Sequence, residues 1–123
     1  LGNRLHAAMM REAINIVAQG IASAEDVDLT IKNTFGVRFP VYGLLEHIDM
    51  VGLDLVKAVV DYATPDLYNE PQAPPLLGEM IARGELGVKA GRGFYDWSVR
   101  DAAAVRARRD AWVREFTATA SGQ

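Results

Sequence analysis

The stretch "RLHAAMMREAINIVAQG", from Arg4 to Gly20, is the strongest indication of the fold. Apolar residues recur in it at steps of three and four, which places them along one side of an α-helix: Leu5, Met9, Ala13, Ile16 and Val17. Asn3 precedes the pattern as a candidate N-cap, and Gly20 follows it as a stop. We therefore predict a first helix from about Arg4 to Gln19.

A second helix is predicted after Ser23, a strong N-cap residue. Glu25 and Asp26 lie in its first turn, where the helix dipole favours negative charge. Gly36 is predicted to end this helix. The next segment, "VRFPVY", contains residues that are common in strands, but Pro40 and the shortness of the segment favour an extended loop.

The rest of the chain predicts four further helices. Gly52 separates two of them within "GLLEHIDMVGLDLVKAVVDYATP", and Asp54 is the candidate cap of the second. The last two are predicted at about 76–83, closed by Gly84, and at about 101–117, before a polar tail that frays. The second helix of the first pair has an apolar side that we expect to be buried: Leu55, Val56, Val59, Val60 and Tyr62.

Composition agrees with one helical domain. Half of the 123 residues are apolar, which suits a single compact domain with its own core. No alternating strand pattern occurs, so the expected fold class is all-α with about six helices. The chain starts at Leu1, and a helical pattern follows almost at once, as expected for a piece of a longer polypeptide.

Charge and residue content exclude several function classes. A net charge of −3 and a pI near 5.3 argue against nucleic acid and anionic membrane as partners. The absence of cysteine from the sequence excludes disulfides and thiolate metal sites and fits a cytoplasmic protein. His6 and His47 are the only histidines and lack metal-ligand spacing, so we expect no metal.

The glycine-rich stretch "GVKAGRGFYDW", residues 87–97, raises the question of a phosphate-binding loop. Its glycines match neither the P-loop spacing nor the dinucleotide fingerprint. We predict a tight double turn in which glycines adopt positive φ. Phe94 would then pack into the core with Tyr95 or Trp97, and its replacement by Ala would cost ~3–5 kcal/mol.

Four motifs in order resemble the C-terminal helical domain of the 3-hydroxyacyl-CoA dehydrogenase family. They are N-R-L and A-S-x-E-D-x-D in "LGNRLHAAMMREAINIVAQGIASAEDVD", E-x-x-D-x-V-G-L-D in "GLLEHIDMVGLD", and G-x-K-x-G-x-G-F-Y in "GVKAGRGFYDW". The resemblance covers Leu1 to about Trp97. It implies a helical domain like the C-terminal domain of 6-phosphogluconate dehydrogenase, with an additional helix at about 101–117.

The resemblance also implies an activity. Members of the family oxidise an L-3-hydroxyacyl-CoA to the 3-keto form with NAD, and short chains such as 3-hydroxybutyryl-CoA are expected here. An N-terminal Rossmann domain, which this chain lacks, holds NAD and the catalytic His–Glu pair. The helical domain covers the substrate and supplies most of the homodimer contact. Because these 123 residues contain neither the nucleotide fold nor the general base, they are expected to be inactive alone.

One family active-site residue transfers by position, the asparagine of N-R-L. Spacing alone favours Asn3 as an N-cap over a substrate contact. The resemblance reverses that preference, because the family's asparagine faces the interdomain cleft and donates a hydrogen bond near the reacting oxygen. Asn3 is therefore the predicted catalytic residue.

Two departures from the family pattern leave the substrate open. Leu44 replaces a common proline, and the loop "GVRFPVYG" is similar to that of relatives acting on small hydroxy acids, such as L-gulonate 3-dehydrogenase and carnitine dehydrogenase. Arg38, with Phe39 and Pro40, is the candidate substrate-binding group, since arginine pairs with a carboxylate or a CoA phosphate. The alternative for Arg38 is a surface arginine paired with an acid. The alternative for the whole chain is a non-catalytic helical dimerisation module.

Overall fold

The structure, a computed structural model, describes the backbone of residues 1–121 and the side chains of residues 1–118. Within them the chain forms α-helices, single-turn 3-10 helices at Thr64–Asp66 and Val88–Ala90, and no strand longer than an isolated bridge. Six of the α-helices have eight residues or more, which confirms the predicted all-α fold. The α-helices are α1 Gly2–Ala18, α2 Ala24–Asn33, α3 Phe35–Arg38, α4 Leu44–Val51, α5 Leu53–Ala63, α6 Pro75–Ala82 and α7 Ala102–Ser121.

Helix α1 begins earlier than predicted. Its N-cap is Leu1, so Asn3 lies inside the first turn, and the prediction of Asn3 as N-cap is wrong. The predicted stop is confirmed: Gly20 has φ 72°, and its N–H donates to the carbonyl of Val17 at 3.0 Å. Only a residue that tolerates the left-handed region closes a helix in this way without strain.

The junction of α2 and α3 differs from the prediction. Ser23 caps α2 as expected, accepting from the Asp26 N–H at 3.1 Å. Gly36, however, lies inside α3, because α2 already ends at Asn33. A Cβ at position 36 would lie 2.5 Å from the carbonyl oxygen of Ile31, so glycine is what permits this close approach.

The segment "VRFPVY" is helical at its start, so the predicted extended loop is wrong. The Phe39 N–H donates to the Phe35 carbonyl at 3.0 Å, and the Tyr42 N–H donates to the Arg38 carbonyl at 3.1 Å. Pro40 has no N–H to continue the helical bonding, which explains why α3 is a single turn. Local hydrogen bonding thus outweighs the strand preference of the side chains.

Helices α4 and α5 meet at Gly52 as predicted, with φ 109° at that residue. The Gly43 N–H at the start of α4 donates to Glu46 Oε1 at 2.9 Å. Asp54 is not the N-cap of α5, because Gly52 occupies that position. The Asp54 carboxylate instead accepts from the N–H of Leu55 at 2.9 Å.

The contacts divide the chain into two compact units, one from Leu1 to Gly78 and one beginning at Glu79. Met80, 6% exposed, and Pro74 are buried, as is the polar Asn15 of α1. That the chain is a single domain stays a prediction.

The predicted buried side of α5 is wrong. Leu55, Val59 and Val60 are exposed, Tyr62 is 86% exposed, and Val56 is half-buried. A unit of this size buries only a limited fraction of its surface, so apolar periodicity on a helix does not by itself place that side in a core.

The glycine-rich stretch forms the predicted double turn. Gly87 has φ 97° and Gly91 has φ 81°. The predicted burial of Phe94 is wrong, since the side chain is 40% exposed, whereas Tyr95 and Trp97 are half-buried. The rings of Tyr95 and Trp97 meet edge to face with centroids 6.2 Å apart, and the Arg100 guanidinium lies over the Tyr95 ring at 4.1 Å.

Helix α7 begins after Asp101, whose carboxylate accepts from the Ala104 N–H at 3.1 Å. The helix continues past Thr117 to Ser121, so the predicted frayed tail is wrong as far as Ser121, and the last two residues lie outside the described chain. Among the described helices, none has both the length and the apolar character that a bilayer span requires.

Candidate functional site

A surface pocket lies where α3, the turn after it and the start of α4 come together. It holds about 190 Å³ of empty space, part of which is open to solvent. All of its lining belongs to the unit that starts at Leu1. The lining residues are Phe35, Arg38, Phe39, Tyr42, Leu44 and His47.

One wall of the pocket follows from the helical path of α3 and the turn behind it. Phe35, Arg38, Phe39 and Tyr42 stand at positions i, i+3, i+4 and i+7, which share one side of a helix. The rings of Phe35 and Phe39 have centroids 5.4 Å apart and are tilted by 45°, within the range of favourable aromatic pairs. This wall therefore consists of three aromatic side chains and one cation, Arg38.

The edge of this wall next to α4 is held by a polar pair. Tyr42 Oη and His47 Nδ1 are 3.0 Å apart in a partly buried hydrogen bond. Their rings also meet edge to face, with centroids 5.5 Å apart. Because His47 belongs to α4, this bond ties the end of the turn to the helix that follows it.

The pocket carries an uncompensated positive charge. Arg38 is exposed, and no carboxylate within the described side chains forms an ion pair with it. The residues that line the pocket include no aspartate or glutamate. Glu46, an acid of the adjacent helix, instead accepts from the Gly43 N–H. The alternative of a surface arginine paired with an acid is thus not found in this part of the chain.

The predicted site residues do not all come together. Arg38 and Phe39 line the same pocket, whereas Pro40 is exposed and does not line it. Asn3 lies exposed in the first turn of α1, with no hydrogen bond to its amide from any described residue. These placements describe the residues, and their predicted roles stay predictions.

Sequence reasoning missed Phe35, Tyr42, Leu44 and His47 as lining residues. The signal was present as the i, i+3, i+4, i+7 spacing of aromatic residues around Arg38. Interpreting "VRFPVY" as extended hid it, because an extended chain would send these side chains to alternating sides.

The glycine turn does not fit a dinucleotide phosphate. Its N–H groups donate within the turn, from Gly87 to the Arg92 carbonyl at 2.8 Å, from Arg92 to the Gly87 carbonyl at 3.1 Å and from Gly93 to the Tyr95 carbonyl at 3.0 Å. A phosphate cradle requires such N–H groups to be free. These three N–H groups are therefore not free to bind a phosphate. Within the described residues, no three His, Asp or Glu side chains group in a way that would hold a metal ion.

Two charges of the glycine turn, Arg92 and Asp96, pair with each other. Arg92 lies 3.6 Å from the Asp96 carboxylate. The Ser98 hydroxyl donates to the same carboxylate, and the Ser98 N–H does so at 3.0 Å; these bonds hold the pKa of Asp96 below its usual 3.8. The polar groups of Arg92, Asp96 and Ser98 thus bond to each other within the turn, which indicates a structural role.

Comparison with known proteins identifies the family. Residues 1–97 match the family described as 3-hydroxyacyl-CoA dehydrogenase, C-terminal domain. The chain is 39% identical over 97 residues to a 3-hydroxybutyryl-CoA dehydrogenase of Mycobacterium tuberculosis, covering 77% of this chain and 32% of that protein. It is 38% identical over 97 residues to the human mitochondrial hydroxyacyl-coenzyme A dehydrogenase, covering 77% and 30%.

A third relative has a different substrate in its name. The chain is 31% identical over 107 residues to a 5-formyl-3-hydroxy-2-methylpyridine 4-carboxylate 5-dehydrogenase of Mesorhizobium japonicum, covering 87% of this chain and 35% of the relative. A crystal structure of an enzyme of that name, described as an NAD+ dependent dismutase, superposes with a TM-score of 0.84 at 29% identity and covers 97% of this chain and 38% of its own.

The chain spans about a third of the length of these curated relatives. The family match covers the residues on which the resemblance was recognised, so that resemblance is confirmed. The chain belongs to the 3-hydroxyacyl-CoA dehydrogenase family and carries its C-terminal helical domain.

Proposed function

We propose that this domain covers the substrate in an NAD-dependent dehydrogenase that oxidises a hydroxyl group to a carbonyl. The observation that carries the proposal is the family match over residues 1–97. The superposition on an enzyme described as NAD+ dependent supports it, since it extends over 97% of the chain.

Asn3 is the proposed catalytic residue of this domain. It lies in the first turn of α1, where the partial positive charge of the helix end favours negative charge nearby, and its amide is exposed. Oxidation of a hydroxyl removes a hydride from carbon and a proton from oxygen. An amide N–H that donates to that oxygen orients the substrate and stabilises the charge that develops on it.

The remaining parts of the enzyme are proposed from the family. NAD is assigned to an N-terminal Rossmann domain of the same polypeptide, because the glycine turn of this chain uses its N–H groups internally. We also propose a homodimer, in line with the exposed apolar side of α5. A cytoplasmic location is proposed from the absence of cysteine in the sequence.

Two substrate classes are supported by different observations. A short L-3-hydroxyacyl-CoA is supported by the relatives named 3-hydroxybutyryl-CoA dehydrogenase. A small hydroxy compound with a free carboxylate is supported by the relative named for a pyridine 4-carboxylate and by the unpaired Arg38 in the pocket. Arg38 and Phe39 are the substrate-binding candidates in either case, and Pro40 supports them only through the backbone turn.

The test is NADH formation by the intact protein that contains this domain. We expect turnover with 3-hydroxybutyryl-CoA or with free hydroxy acids, and the preferred class decides between the two substrates. Asn3→Ala is expected to lower kcat about 100- to 1,000-fold, the usual cost of one oxyanion donor, with the Kd for NAD unchanged. Gln19→Ala, at the other end of α1, is the matched control and should leave kcat unchanged.

Two outcomes would contradict the proposal. Wild-type kcat in Asn3→Ala would remove the catalytic role of Asn3. A lack of NADH formation by the intact protein with every substrate of both classes would leave a non-catalytic dimerisation module. Residues 1–123 alone are expected to form no NADH with any of these substrates.

A further inference from the structure

We propose that the pocket between α3 and α4 is a subsite that binds the carboxylate of a small substrate with a flat or short apolar body. Arg38 supplies the charge and Tyr42–His47 forms its polar edge. The proposal deepens the proposed function, because it rests on this domain facing the substrate and it chooses the carboxylate class.

The size of the pocket limits what it can hold. Its 190 Å³ of empty space includes the open mouth, and only about 20 Å³ of it admits the centre of a water molecule. Pockets for drug-sized ligands have volumes of roughly 300–1,000 Å³. The pocket itself therefore takes only a small group such as a carboxylate, with the body of the ligand lying across the open mouth, and not the nucleotide part of CoA.

The charge of the pocket selects an anion. Arg38 has no ion pair with any described side chain, and the lining contains no carboxylate. A guanidinium presents a planar pair of N–H donors that matches the two oxygens of a carboxylate. An incoming carboxylate therefore gains a charge-assisted bond without displacing one that already exists.

The polar edge is fixed before the ligand arrives. Tyr42 Oη and His47 Nδ1 are 3.0 Å apart, and which of the two donates depends on the imidazole tautomer. This bond holds two lining side chains in place, which reduces the entropy lost on binding.

The remaining walls suit an apolar body. Phe35, Phe39 and Leu44 line the pocket, and Phe39 and Leu44 are 40% and 52% exposed. Covering such side chains with a flat ring removes apolar surface from water. Charge at one point and aromatic surface around it together define a flat or short carboxylate as the fitting ligand.

The experiment measures the binding of benzoate and of its uncharged match, benzamide, to the intact protein by calorimetry. We expect benzoate to bind and benzamide to bind at least about 10-fold more weakly, because a charge-assisted bond to Arg38 is lost. Arg38→Gln should weaken benzoate about 10- to 100-fold, and Arg38→Lys should weaken it less. Lys32→Gln, an exposed cation of α2, is the matched control and should bind like the wild type.

Tyr42→Phe tests the polar edge. It removes the hydroxyl that bonds to His47 while keeping the ring, and we expect benzoate to bind several-fold more weakly. Circular dichroism of each variant checks that the helices are intact, and Arg38→Lys keeps the test informative if Arg38→Gln does not fold. Equal binding of benzoate and benzamide, or wild-type benzoate binding in Arg38→Gln, would overturn the proposal.

The outcomes separate this inference from the proposed function. Benzoate binding requires no turnover, so Arg38-dependent binding in a protein that forms no NADH would retain the subsite and reject the dehydrogenase. Turnover of 3-hydroxybutyryl-CoA that neither benzoate nor Arg38→Gln alters would retain the dehydrogenase and reject the subsite.

Discussion

Two segments of this chain have similar composition and different structures. The pocket segment, residues 35–47, and the glycine turn, residues 87–97, each combine an arginine with aromatic residues and glycine. In the glycine turn, Arg92 pairs with Asp96 at 3.6 Å. In the pocket segment, no described acid pairs with Arg38, and aromatic side chains line a cavity beside it.

The residue four positions after each arginine accounts for much of the difference. It is Asp96 for Arg92 and Tyr42 for Arg38. An acid at that position neutralises the cation within the segment, whereas Tyr42 bonds to His47 and leaves the guanidinium unpaired. The position of the nearest acid, and not the composition of the segment, therefore decides whether the arginine is paired within it.

The largest expected effects come from substitutions that disturb the backbone of each segment separately. An added Cβ at Gly36 would lie 2.5 Å from the Ile31 carbonyl oxygen, and one at Gly93 would lie 2.9 Å from Gly87 Cα. We expect Gly36→Ala and Gly93→Ala each to lower the free energy of unfolding by ~1–3 kcal/mol in urea titrations, because backbone atoms must shift. Only Gly36→Ala should also weaken benzoate binding.

Gly78→Ala is the matched control for both variants. Nothing lies within 4 Å of a Cβ at this helical position, so the substitution should be neutral or stabilising by up to ~1 kcal/mol. Wild-type stability in Gly36→Ala would contradict the close approach described for α3. Loss of benzoate binding in Gly93→Ala would contradict the separation of the two segments.

A smaller effect is expected at the charge pair of the glycine turn. The Ser98 hydroxyl, the Ser98 N–H and Arg92 lower the pKa of Asp96, so the stability that this carboxylate contributes is present above its unfolded pKa and is lost as the pH falls through its folded pKa. Ser98→Ala removes the hydroxyl bond and should raise the pKa of Asp96 toward 3.8, measured from the carboxyl carbon shift.

Ser23→Ala, which touches α2 only, should leave the pKa of Asp96 unchanged. A pKa of Asp96 at or above 3.8 in the wild-type protein would show that its carboxylate is not compensated as described.

The fold was largely predictable because its helices are locally encoded. Apolar periodicity and left-handed glycines such as Gly20 and Gly52 act within one or two turns. The exposed side of α5 was not predictable, since burial depends on what covers a helix rather than on its own pattern. The exposure of Phe94 was missed for a similar reason, since it depends on what covers the glycine turn.

The candidate site was predictable only in part. Arg38 and Phe39 were found through the resemblance of their loop, and both line the pocket. Tyr42 and His47 were missed because their contact depends on a helical turn that the strand-forming residues before Pro40 concealed. Asn3 was placed by motif alone, and its role awaits the kinetic test.

The most direct test of the difference between the two arginines is one NMR titration of the intact protein with benzoate. The side-chain Nε–H signals of Arg38 and Arg92 are followed in the same spectra. The account predicts a saturable shift of the Arg38 signal and an unchanged Arg92 signal, because Arg92 pairs with Asp96 whereas no described carboxylate pairs with Arg38. Equal shifts of both signals, or a shift of Arg92 alone, would contradict it.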